Sequence, residues 1–145
     1  MAEAIFRRIA SELLDCSEDA LRAYGIDAFS AGVAARCGHL ASQEAVDILH
    51  NRGIDLSQHL SQQVTAKMLS ESDYVYVMTH SHLAVLKDTT RSDLTGRIQL
   101  VTRNGRDIAD PFGGGPEDYL DCADQLTAAI RQIADDLIRK DEATT

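Results

Sequence analysis

No run of apolar residues in this chain is long enough to cross a bilayer. The first residues do not read as a secretion signal either, because Glu3, Arg7, Arg8 and Glu12 interrupt any apolar stretch. Cysteine is scarce: Cys16, Cys37 and Cys122 form no Cys-x-x-Cys pair and are odd in number, which fits a reduced, cytoplasmic setting. Basic residues are outnumbered, 14 Lys and Arg against 23 Asp and Glu, for a net charge of -9 and an isoelectric point near 4.8. That balance argues against nucleic acid and anionic membranes as partners, since both are bound through basic patches. There is no internal repeat, no low-complexity tract and no interdomain linker. What remains is 145 residues, 44% of them hydrophobic, the size and composition of one globular domain over residues 1–145.

The stretch Asp110-Pro111-Phe112-Gly113-Gly114-Gly115-Pro116 stands out. Pro111 fixes its own φ and biases Asp110 towards extended backbone, the glycines permit positive φ, and Pro116 suits a first helical turn. Such a stretch fits a plain loop leading into a helix. Most such stretches are no more than that; the sharper reading is a proton-donating carboxylate at the rim of a site, with Phe112 as a wall.

Taken in order, Ile5, Phe6, Ile9 and Leu13 fall at helical spacing, so a helix is under way from the first residues with no capping signal ahead of it. Tyr24 to Phe29 reads as a short strand, leaving through Ser30-Ala31-Gly32. Ser42 caps a helix bearing Ala45, Val46, Ile48 and Leu49, and Gly53 ends it. Residues 54–64 are polar and irregular, and Thr65 caps a short helix. Tyr74 to Met78 is an unbroken apolar run suited to a strand covered on both faces. A short helix follows it over Leu83 to Leu86, and Ile98 to Val101 is a third strand. From Pro116 a long helix carries Tyr119, Ala123, Leu126, Ile130, Ile133 and Leu137 on one stripe, with acids at its start and Arg139 and Lys140 near its end. Alternating strands and helices imply an α/β fold with a parallel sheet and helices on both faces. In such folds ligands bind beyond the carboxyl ends of the strands, where Ser30, His80, His82 and Asp110 fall.

Each candidate group has a plain alternative. His80-x-His82 has the types for two metal ligands but no third at useful spacing, so hydrogen-bonded loop residues are the reading adopted and no metal or cofactor is expected. Cys16 to Arg22 matches the Cys-x5-Arg spacing of a phosphate-cradling loop. It is set aside as a decoy, because Glu18 and Asp19 would repel a dianion and no glycine lets the N–H groups turn inward. Ser30 fits a nucleophile or a hydrogen-bonding residue, and His59 a base or a support.

Several pieces in order give the chain a likeness. Met1-Ala2-Glu3-Ala4-Ile5-Phe6, Ser30-Ala31-Gly32, Asp55-x-Ser57-x-His59, Asp73 to His82 and Asp110-Pro111-Phe112-Gly113-Gly114, followed by the final helix, resemble the low-molecular-weight protein-tyrosine-phosphatases. The acid loop is most similar to that of the bacterial protein arginine phosphatase branch. The resemblance implies a three-layer sandwich with sheet order 2-1-3-4 and catalysis through a phosphocysteine, without cofactor, on a phosphorylated protein substrate. It makes Asp110 general acid and then general base, lets Phe112 line the substrate entrance, and has Ser30 and His59 brace the cysteine loop. It also implies that the first strand and the Cys-x5-Arg-Ser-Pro loop, about 15 residues, precede Met1. The chain is therefore expected to be N-terminally truncated, with a start assigned too far downstream, and inactive as it stands. Phosphoarginine or phosphotyrosine substrates are both open. A non-catalytic phosphatase-like binding protein is the alternative. An arsenate reductase ranks lower, because Met78 to Thr90 holds no redox cysteine.

Overall fold

A computed structural model describes residues 1–90 and 93–144. Helix α1 (Ala2–Leu13) opens directly at Met1, without a side-chain cap. Its apolar face, led by Ile5 and Ile9, packs against α5 (Pro116–Thr144), whose 29 residues reach about 44 Å. Ser42 caps α2 (Gln43–His50) by accepting from the Ala45 N–H, and Thr65 caps α3 (Ala66–Glu71) by accepting from the Met68 N–H. Both caps act where the sequence puts them.

Strands β1 (Val75–Val77) and β2 (Ile98–Leu100) pair in parallel, joined by α4 (His80–Thr89) as the crossover. Side chains alternate across β1 and divide the interior in two. Val77 joins Leu69, Leu86 and Ile98 in a small core against α3 and α4. Tyr76 and Met78 turn the other way, onto the larger core built from α1, α2 and α5 around Leu49, Ala123, Leu126 and Ile130. Helices therefore cover both faces of a parallel sheet, the α/β arrangement that the alternating pattern implies.

The expected strand over Tyr24–Phe29 does not form. Glu18–Tyr24 is a 3-10 helix ended by Gly25 at φ 75°, and residues 26–31 run on without joining a ladder. A strand exists only by pairing, and among the described residues no backbone lies alongside this one as a partner. The sheet consequently has two strands rather than three. The short helix expected from Leu83 begins earlier, at His80, because Thr79 accepts from the His82 N–H as its N-cap. No described helix is long and apolar enough to cross a membrane.

Candidate active site

The carboxyl end of the parallel sheet is where the acid loop arrives. Beyond β2 the chain turns back, and the Ile108 N–H donates to the Met78 carbonyl just past β1 at 2.9 Å. Two residues on, Asp110 is exposed at this edge. Its Oδ1 accepts from the Phe112 N–H at 3.0 Å, and the Gly114 N–H donates to the Pro111 carbonyl at 2.9 Å. An aspartate bonded to the backbone two residues ahead across a proline is a stiff turn, so the carboxylate has little freedom to swing. Gly113 sits at φ 81°, and a Cβ on Gly114 would run into the Asp118 side chain. Asp118 in turn accepts from the Gly115 N–H at 2.8 Å, tying the loop to the first turn of α5.

Phe112 is 82% exposed, the most exposed large apolar side chain described. A phenyl ring left in water on a rigid turn has no packing role in this chain. With Asp110, Asp118, Asp121 and Cys122 it lines a cavity of about 320 Å³. Cys122 is buried there, and burial above all pushes its thiol up. The Met1 amino group opposes that shift, while Asp110 and Asp121 add to it. Asp110 and Cys122 line the one cavity, and Met1, at the start of α1, packs against the core to which Cys122 belongs.

On the other flank of that helix start lies a second polar group. The Ser30 N–H and Oγ–H both donate to Glu3 Oε2, at 2.8 and 2.9 Å. His59 Nε2 is 3.4 Å from Ser30 Oγ, and its Nδ1 is 3.9 Å from Glu3 Oε2. Since the hydroxyl gives its proton to Glu3, it can only accept from His59, which assigns the proton to Nε2. The Gln62 side-chain amide holds the Ser30 carbonyl at 2.8 Å, and Gly32 bonds to Gln62 and Val64 through its backbone. Ser30 and His59 are thus brought together, and Glu3 is the residue that joins them. An acid in a first helical turn reads in sequence as a complement to the dipole, so Glu3 gives no separate signal.

Of the two histidines past β1, His80 opens α4 and is hydrogen-bonded to a loop residue, Asp107. Asp107 Oδ1 lies 2.6 Å from His80 Nδ1 and accepts from the His80 N–H at 2.9 Å. The backbone bond first, then the ring, hold the Asp107 carboxyl below its ordinary range. This pair fastens the segment leading to Asp110 onto the start of α4.

The cysteine spacing set aside in the sequence is far from this edge. Cys16 follows the carboxyl end of α1, a helix about 18 Å long, whereas it is the start of α1 that packs against the core to which Cys122 belongs. Arg22 is engaged with Asp27, and Glu18 with Arg8 at 2.9 Å.

Comparison with known proteins agrees with this geometry. The profile described as "Low molecular weight phosphotyrosine protein phosphatase" matches residues 1–143. A protein-arginine-phosphatase of Bacillus subtilis (strain 168) is 31% identical over 140 residues, covering 94% of this chain and 87% of that protein. One from Geobacillus stearothermophilus is 34% identical over 116 residues, 78% of each chain. Among solved structures, an arginine phosphatase, YwlE, in a Cys-to-Ser form with a phosphorylated active-site serine, superimposes with a TM-score of 0.79 at 28% identity. It covers 94% of this chain and 85% of its own. The chain belongs to the low molecular weight phosphotyrosine protein phosphatase family.

Proposed function

We propose that this protein is a cytoplasmic phosphatase acting on phosphorylated proteins through a phosphocysteine, with phosphoarginine as the preferred residue. The observation that carries the reading is the Asp110 turn at the carboxyl end of the parallel sheet, sharing a cavity with Cys122, against whose core the start of α1 packs. A positioned carboxyl group there can protonate a leaving nitrogen or oxygen, then take a proton from the water that releases phosphate from sulfur. Phe112 offers its ring to the substrate side chain, and a planar guanidinium packs well on such a face. The phosphorylated active-site serine in the Cys-to-Ser relative supports a covalent intermediate in that protein, and the two arginine phosphatase relatives support the substrate class.

The nucleophile is not among the 145 residues in this reading. Cys16 is remote, Cys37 is on an exposed loop, and Cys122 is buried with its thiol pushed up, the opposite of an activated thiolate. The cavity beside Asp110 is lined by Asp118 and Asp121, and offers a phosphate dianion repulsion rather than a cradle. A cysteine loop with its own arginine, seated at the start of α1 and braced by Glu3, Ser30 and His59, would supply both missing elements. The test compares the 145-residue protein with a form carrying the in-frame residues encoded upstream, on matched phosphoarginine and phosphotyrosine peptides. Turnover by the longer form alone, with the higher kcat/KM on phosphoarginine, is expected. Turnover by the 145 residues that survives Cys16→Ser, Cys37→Ser and Cys122→Ser would overturn the phosphocysteine reading. A clear preference for phosphotyrosine would overturn the substrate assignment alone.

A further inference from the structure

A cavity of about 520 Å³ lies away from the acid loop. It lies along the outer edge of β2, against the carboxyl-terminal half of α5. Leu137 lines it, and Cys122 lines the acid-loop cavity. Fifteen helical residues separate these two, about 22 Å along the α5 axis.

The backbone of β2 shows what this edge offers. The Val101 N–H donates to the Val77 carbonyl at 2.8 Å, which turns the N–H and C=O groups of Gln99 and Val101 towards β1. By alternation, those of Ile98 and Leu100 point away from β1, and among the described residues no strand pairs with that side. The groove straddles the edge. Tyr74 and Tyr76, stacked with centroids 6.4 Å apart, form one wall, and Leu83 and Lys87 of α4 form the other. Such an edge is a template for one more strand.

Charge then selects the occupant. In a chain of net charge -9, this groove is lined among the described residues by Lys87, Arg103 and Lys140 and by one carboxylate, Asp136, which pairs with Arg103. Lys140 lies over the Tyr74 ring, 5.9 Å from its centroid. A second copy pairing edge to edge would bring these cations against themselves, which disfavours self-association through β2. An acidic segment meets them with opposite sign. We propose that the free edge of β2 is a docking site for an extended acidic segment of a partner protein, added to the sheet as a third strand. Main-chain bonds to Ile98 and Leu100 would supply the affinity, and the cations the selection.

The probe is a fluorescein-labelled peptide Glu-Val-Glu-Val-Glu-Val-Glu, titrated into the full 145-residue protein and followed by anisotropy, with amide exchange measured on the complex. Saturable binding is expected, weakened about tenfold or more when lysine replaces glutamate in the peptide or in the Lys87→Glu, Lys140→Glu protein. N–H groups alternate in direction along a strand. N-methylating either the valines or the glutamates must therefore abolish binding, and the other set must leave it largely intact. The amides of Ile98 and Leu100 should gain protection. Absence of saturable binding would overturn the proposal. So would binding that follows charge but ignores both N-methylated peptides. In either case the cations serve only to keep edges apart.

Discussion

Replacing Glu3 should cost this fold more than its place on a surface helix suggests. One carboxylate oxygen receives both the N–H and the Oγ–H of Ser30, at 2.8 and 2.9 Å, in a partly buried setting beside His59. Hydrogen bonds to a charged acceptor contribute roughly 1.5–3 kcal/mol each, and Glu3→Ala also strands a backbone N–H. Loss of a favourable charge in the first turn of α1 adds about 0.3–1 kcal/mol, offset by a few tenths from the better helix propensity of alanine. Water can reach the group in part, so the lower end applies, and about 2–4 kcal/mol is expected. Glu3→Gln keeps an acceptor and should lose about half as much. Glu12→Ala is the control, since its contact with Arg131 is an exposed pair of 3.4 Å and should cost about 0–0.5 kcal/mol. Urea unfolding followed by circular dichroism reads all of these as shifts in midpoint at constant slope. A loss below about 0.5 kcal/mol for Glu3→Ala, or one equal to that of Glu12→Ala, would show that the cluster does not hold loop 30–32 to α1.

Two further outcomes follow from the same contacts. Cys37 is exposed and Cys122 buried with its thiol pushed up, so iodoacetamide should label Cys37 quickly and Cys122 only on unfolding; prompt labelling at Cys122, read by mass spectrometry, would contradict the packing around the acid loop. The Asp107 carboxyl is held below its ordinary value by His80, so its contribution to stability is present above the unfolded value and fades as pH falls through the folded one. Asp107→Asn should therefore flatten the fall in stability below about pH 4, and an unchanged acid limb would show that the pair does not form.

Much of this was legible in sequence because it is local. Ser42 and Thr65 cap the helices they precede, the stripe from Tyr119 to Ile133 is the buried face of α5, and the apolar run around Val77 is a strand covered on both sides. The case against Cys16 to Arg22 as a phosphate loop, Glu18 and Asp19 with no glycine, is also local; in the fold Glu18 pairs with Arg8 and Arg22 with Asp27. Where the reading failed, the missing information was non-local. Tyr24–Phe29 has the composition of a strand, but a strand needs a partner, and residues 26–31 have none among the described residues. The roles of Glu3 and Asp107 are illegible in sequence for a related reason. Each acts on a residue 27 positions away, Ser30 and His80 respectively, and a lone acid in a first helical turn or in a loop announces nothing about such a partner. The groove along β2 depends on which backbone groups face outward, and composition carries no trace of register.

The central claim is that Asp110 is the proton donor of a phosphocysteine phosphatase, and a leaving-group series tests it most directly. In a form extended at its N-terminus by the proposed cysteine loop, Asp110→Asn keeps the shape of the turn and its bond to the Phe112 N–H, but has no proton to give. Positioned acid catalysis contributes about 10²–10⁴-fold, so kcat/KM should fall by that order for aryl phosphates whose leaving groups are poor. The deficit should shrink towards the most acidic phenols, which depart without protonation, while binding of inorganic phosphate stays nearly unchanged. An equal loss across the whole series would contradict the assignment of Asp110.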